Sequence, residues 1–194
     1  MGLIVLRVLS CMAAGRLTAA LLLSSGLSLL AAGCGDTTID TSALFGNAES
    51  ELSAAEEAAA FSAFATAFTV SQDGSKLEDP NCGDIAPEAE VVDLNEDGAA
   101  EVFVLWGNTC TSGGAGRSLS LLVPDASGAY EFELGFPASG WTALAKGPAG
   151  WPDLSIGGPG FCRAVWSRTG TAYEFKCNLP ESPGGCDSIG NVCQ

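Results

Sequence analysis

Three kinds of apolar pattern follow one another along the chain. From Leu17 to Ala32 nearly every residue is apolar or small, a run shorter than the ~20 residues that a membrane-spanning helix needs. Residues 35–49 are small and polar without periodicity and read as a flexible tether. Behind it, Phe61, Phe64 and Phe68 recur at helical spacing in an alanine-rich run, and Ser53 with Glu56 has the form of a capping box. This predicts a helix over 54–68 whose phenylalanine stripe packs on a sheet. From Glu88 onward the signals are those of strands. Val102-Phe103-Val104-Leu105-Trp106 is apolar on both faces, as in a central strand covered on both sides. Ser118–Val123 and Ala129–Leu134 flank a Pro-Asp-Ala-Ser-Gly turn and predict a hairpin, with Glu131 and Glu133 on a wet face.

A second hairpin is expected from Phe161–Ser167 and Thr171–Cys177. With Thr169-Gly170 as its turn, Cys162 faces Cys177 and Trp166 faces Tyr173, which makes a 162–177 disulfide one candidate; a longer loop shifts that register. The tail from Asn178 to Gln194 is rich in Pro and Gly and needs cross-links to stay ordered. The expected fold is α+β: one N-terminal helix packed on a mostly antiparallel β-sheet, disulfide-stapled, in a single globular domain over residues 50–194.

Charge narrows the partners. All 23 acidic residues follow Gly33, against six of the eight basic ones, so residues 34–194 carry a formal charge of −17. Such a surface disfavours nucleic acid, which requires a basic footprint, and adsorption to anionic lipid. It suits divalent cations or a basic partner. Cysteine usage agrees with export: Cys82, Cys110, Cys162, Cys177, Cys186 and Cys193 form an even set, and the expectation is three disulfides of open connectivity. With no histidine and no Cys-x-x-Cys pair, zinc is a poor alternative.

The first residues read as an export signal. Arg7 and Arg16 precede the apolar run, which closes on Leu30-Ala31-Ala32-Gly33-Cys34. This ending resembles a bacterial lipobox, with Ala31 where leucine is most usual. The resemblance implies removal of residues 1–33 as a signal peptide and acylation of Cys34 with palmitate-type chains, leaving Cys34 and the tether over 34–49. Several acyl chains on one residue give stable membrane anchoring, which a single chain does not. A start at Met12 also leaves a compact signal and removes Cys11. The expected location is the cell envelope, at the outer membrane where the cell has two, since Gly35 is not an inner-membrane retention aspartate.

One segment carries chemistry. Asp93-Leu94-Asn95-Glu96-Asp97-Gly98-Ala99-Ala100-Glu101 places oxygen-bearing side chains at alternate positions before a glycine. Calcium takes about 6–8 hard oxygen ligands, so short acidic side chains must converge from a tightly coiled backbone. Asp93, Asn95 and Asp97 offer side-chain oxygens, Ala99 its carbonyl, and Glu101 a closing contact. Val104 stands where an EF-hand places its closing glutamate, and the flanks are strand-like. The segment resembles instead the strand–loop–strand calcium repeats of FG-GAP and VCBS proteins. A fainter copy aligns Gly150-Trp151-Pro152-Asp153-Leu154-Ser155-Ile156 with Gly98 to Val104; it lacks the upstream acidic residues and is expected to bind no metal. The stretch from Cys82 to Tyr173 is similar to small exported bacterial proteins of unassigned function, which implies a compact β-rich domain and one structural Ca2+.

No nucleophile–histidine pair can form without histidine, and no phosphate-binding glycine signature is present. Paired carboxylates could serve glycoside hydrolysis of an envelope polysaccharide, but the sequence selects no pair. The leading expectation is a lipid-anchored calcium-binding module for a protein or carbohydrate ligand. The alternatives are that hydrolase and an acidic inhibitor or assembly partner of a basic envelope protein. Trp166 and Tyr173 are expected in the core. Trp151, between glycine and proline, is the best candidate for an exposed platform.

Overall fold

Two four-stranded antiparallel meanders carry the chain from Glu88 to Pro180. The first runs β4 (Glu88–Val92), β5 (Glu101–Trp106), β6 (Ser118–Pro124), β7 (Tyr130–Pro137), and the second β8 (Gly140–Lys146), β9 (Pro152–Gly157), β10 (Cys162–Thr169), β11 (Ala172–Pro180). A computed structural model describes residues 39–158 and 160–194. The expected signal over 1–33, the expected acylation of Cys34 and the alternative start at Met12 lie outside the described residues.

The faces of these sheets decide the packing. On β5, Val102 and Val104 point to one side with Leu122 and Tyr130, while Phe103 points to the other with Leu119, Leu121 and Leu134. The first side is covered by α2 (Ala54–Ala65), through Phe61 and Phe64. The second side meets Leu154, Ile156 and Tyr173 of the second meander. The first meander is thus the middle layer, and β5 is the doubly covered strand its sequence predicts. Burying its apolar side chains stabilises the fold by roughly 25 cal/mol per Å² removed from water.

Helix α2 begins as predicted. Ser53 accepts from the Glu56 N–H, and the Glu56 carboxylate accepts from the Ser53 N–H at 2.7 Å. It ends at Ala65, before Phe68, which still packs on Trp106 at 4.9 Å. The expected single helix on a single sheet is otherwise too simple. The described residues form three sheets, the smallest made of β1 (Thr69–Val70), β2 (Leu77–Asp79) and β3 (Gly83–Asp84), which brings the fully buried Leu77 beside the helix layer. Ser42–Phe45, expected to lie in the tether, form a helical turn, α1, with Ala43, Leu44 and Phe45 buried in the same core. Three apolar residues are too few to show a period, so composition alone reads them as linker.

A β-bulge changes the alternation on β7. Leu121 pairs with Leu134 but Leu122 with Phe132, leaving Glu133 as the extra residue. The inserted residue turns Leu134 and Phe136 towards the second meander while Tyr130 and Phe132 stay on the helix side. Glu133 is therefore not on a wet face. Its side chain is 8% exposed and binds Arg168 of β10 at 2.5 Å and the Tyr173 N–H at 2.7 Å, tying the two sheets together.

The expected three disulfides are present, as Cys82–Cys110, Cys162–Cys186 and Cys177–Cys193. The 162–177 candidate fails on register. The turn is Gly170-Thr171, so Thr169 pairs with Ala172 and Arg168, not Trp166, with Tyr173. Gly170 has φ 65, the left-handed geometry that the first position of such a two-residue turn demands of glycine. A bulge between Val165 and Trp166 then places Cys162 opposite Pro180. Both cysteines of this hairpin are left to hold the tail, which also bonds through Asn178 N–H to Asn191 O at 2.7 Å. Peptide mapping without reduction is expected to return the 82–110, 162–186 and 177–193 cross-links and no 162–177 product.

Candidate metal centre

The β4–β5 connection is a loop in which Asp93, Asn95 and Asp97 each hold a backbone N–H with a side-chain oxygen. Asp93 accepts from Asp97 N–H at 3.1 Å and Gly98 N–H at 2.8 Å, Asn95 from Asp97 N–H at 3.0 Å, and Asp97 from Ala99 N–H at 2.8 Å. Asp and Asn fold the chain back on itself this way because their short side chains reach their own backbone two residues on. Glu96 at φ 65 and Gly98 at φ 89 supply the left-handed residues of the coil. The Asn95 amide also donates to the Asp97 carboxylate at 2.7 Å. Among the described residues, no three Asp, Glu, His or Cys side chains converge into a ready-made metal cluster. A carboxylate has about four acceptor positions, so the N–H bonds leave further lone pairs on Asp93 and Asp97.

Glu101 is the unusual member of the set. It opens β5, is 1% exposed, and accepts from the Leu94 N–H at 2.8 Å across the loop. Burial pushes its carboxyl up to about 7 from the ordinary 4.5; the Leu94 bond opposes this, and the charges of Asp97 and Asp93 add to it. No cation among the described residues relieves it. All six basic residues among those described pair elsewhere: Lys76 with Asp84, Arg117 with Glu88, Lys146 with Glu96, Arg163 with Glu181, Arg168 with Glu133, and Lys176 with Asp153.

The second meander provides an internal comparison. Its β8–β9 loop also carries a left-handed glycine, Gly150 at φ 83, and Leu154 and Ile156 are buried as Val102 and Val104 are. Asp153 aligns with Glu101, and it has a cation, the Lys176 ammonium at 2.6 Å. Burial alone would raise the Asp153 carboxyl, but the bonds from Lys176 and Ser167 overcome it and hold the group below its ordinary 3.8. Two hairpins thus carry an acid near the start of their second strand, one paired with a cation and one with none among the described residues. An oxygen-only donor set around an uncompensated buried carboxylate fits a hard divalent cation.

The aromatic candidates are largely occupied. Trp151 is half-buried, with the Arg168 guanidinium 3.8 Å from its ring centre and Tyr173 against its edge, so it offers no free platform. Trp141 stacks on Phe103 at 3.7 Å and donates to Glu90. Trp166 stacks on Phe136 and Tyr173 is buried, both in the inter-sheet layer as expected. Sequence reasoning missed Lys176 and Tyr130, which donates to the Ala100 carbonyl at 2.8 Å; both act across strands, and only the β-pairing reveals them. Comparison of the chain with known protein families, curated proteins and solved structures gives no match.

With chelator present, the sign of the Glu101 effect is fixed. Its folded pKa is raised, so the folded chain holds more protons than the unfolded one between pH about 4.5 and 7. Stability is expected to fall as pH rises through that window. Glu101→Gln is expected to flatten this part of a pH series of denaturant melts; an unaltered slope would assign it to another group.

Proposed function

We propose that the chain is an exported, lipid-anchored module whose first meander binds one structural calcium ion, serving a binding or interaction role in the cell envelope. The observation that carries the metal reading is Glu101, buried without a cation where its counterpart Asp153 has Lys176. Asp93, Asn95 and Asp97 would contribute side-chain oxygens, Ala99 its carbonyl and Glu101 the closing carboxylate. Bound calcium would supply positive charge to a loop that otherwise gathers four acidic residues between positions 93 and 101. The resemblance to FG-GAP and VCBS calcium loops is consistent with the strand–loop–strand setting of Val92 and Glu101.

Export is supported by three disulfides, which persist in oxidising compartments. Anchoring rests on Cys34 and the lipobox-like ending before it. A specific observation also favours the reading as an acidic partner of a basic envelope protein. With every described lysine and arginine already paired, most of the acidic surface is left without internal compensation and would attract a basic ligand.

Thermal melting of the oxidised protein tests the metal reading. Calcium is expected to raise the melting temperature over that in chelator, because a ligand that binds only the folded state stabilises it. An Asp93→Ala, Asp97→Ala variant should show no such rise. Coincident wild-type melts in the two conditions would reduce the loop to an acidic turn.

A further inference from the structure

The loop's own hydrogen bonds are nearly all internal, and one buried side chain reaches into it from another strand. Tyr130 of β7 is 7% exposed and lies in the core shared by Phe61, Phe64, Val102 and Val104. Its hydroxyl donates to the Ala100 carbonyl at 2.8 Å, thirty residues away in sequence. Ala100 sits between Ala99, whose carbonyl the metal reading uses, and Glu101, whose carboxylate closes the loop. Holding the Ala100 carbonyl fixes the Ala100–Glu101 peptide plane, and with it the backbone from which the Glu101 side chain departs, one residue after the Ala99 carbonyl. The Leu94 N–H holds the Glu101 carboxylate from the opposite side of the loop at 2.8 Å. The hydroxyl keeps its proton: burial pushes it up to about 12, with the charges of Glu56 and Glu101 adding to the effect.

We infer that Tyr130 is a positioning residue for the calcium loop, setting the relative orientation of the Ala99 carbonyl and the Glu101 carboxylate from the helix-side core. The inference rests on the calcium reading of the same loop. Partners that orient metal ligands without touching the metal typically change affinity by about 10–100-fold when removed. The other side chain that reaches the loop from the second meander, Lys146 on Glu96 at 3.0 Å, is a poorer device, because the Glu96 side chain is 81% exposed and exposed pairs hold little geometry.

Calorimetric titration of the oxidised protein with calcium chloride separates positioning from stability. Tyr130→Phe removes only the hydroxyl and is expected to weaken calcium binding by about tenfold. Phe61→Leu loosens the same core without touching the loop; it should lower the melting temperature in chelator and leave the calcium affinity unchanged. Equal affinities for wild type and Tyr130→Phe would overturn the inference while leaving the metal site intact. Equal losses in both variants would also overturn it, since affinity would then follow core stability. No heat of binding in the wild type would remove the calcium reading itself, and this inference with it.

Discussion

A buried carboxylate must find a compensating charge, and in this molecule one such group shapes the reading of everything around it. Glu101 opens the central strand of the middle layer with almost no exposure. Taking an ion out of water carries a large desolvation cost, which a partner or a proton must offset. The second meander meets this requirement with Lys176 on Asp153. The first has no lysine or arginine to spend among the described residues. The loop ahead of Glu101 instead holds Asp93, Asn95 and Asp97, each bent back on the backbone.

The same constraint bears on why the two meanders stay together. Between them lie Phe103 stacked on Trp141, Phe136 on Trp166, and the Arg168–Glu133 pair, with side chains 10% and 8% exposed. That ion pair, unlike Glu101, is complete: Arg168 also donates to the Thr171 carbonyl and lies over Trp151. The bulge that creates it also redirects Leu134 and Phe136 into the interface. One inserted residue on β7 therefore serves both apolar packing and charge compensation, and it is why an edge strand can face two layers.

Much of this was legible in the residues. The capping box, the phenylalanine stripe, the doubly apolar β5 and the three cross-links all have local signatures, either a period or a count. What escaped depends on long-range pairing. A one-residue error in the β10–β11 turn moves Cys162 away from Cys177, and a single bulge turns Glu133 inward. Neither leaves a trace in hydropathy, because register is set by the partner strand. Of the second sheet, the β10–β11 hairpin was legible, β9 showed only as a faint echo, Gly150 to Ile156 against Gly98 to Val104, and β8 left no clear pattern because it is mostly exposed. The candidate metal loop is the reverse case: its spacing is plain in sequence, whereas the burial of Glu101 is not.

One ion for one uncompensated carboxylate is a statement of stoichiometry, and stoichiometry can be counted. Native mass spectrometry of the oxidised protein in calcium acetate should find a single calcium per chain, since the second hairpin is already neutralised by Lys176. Chains that carry no calcium, or two ions each, would contradict it.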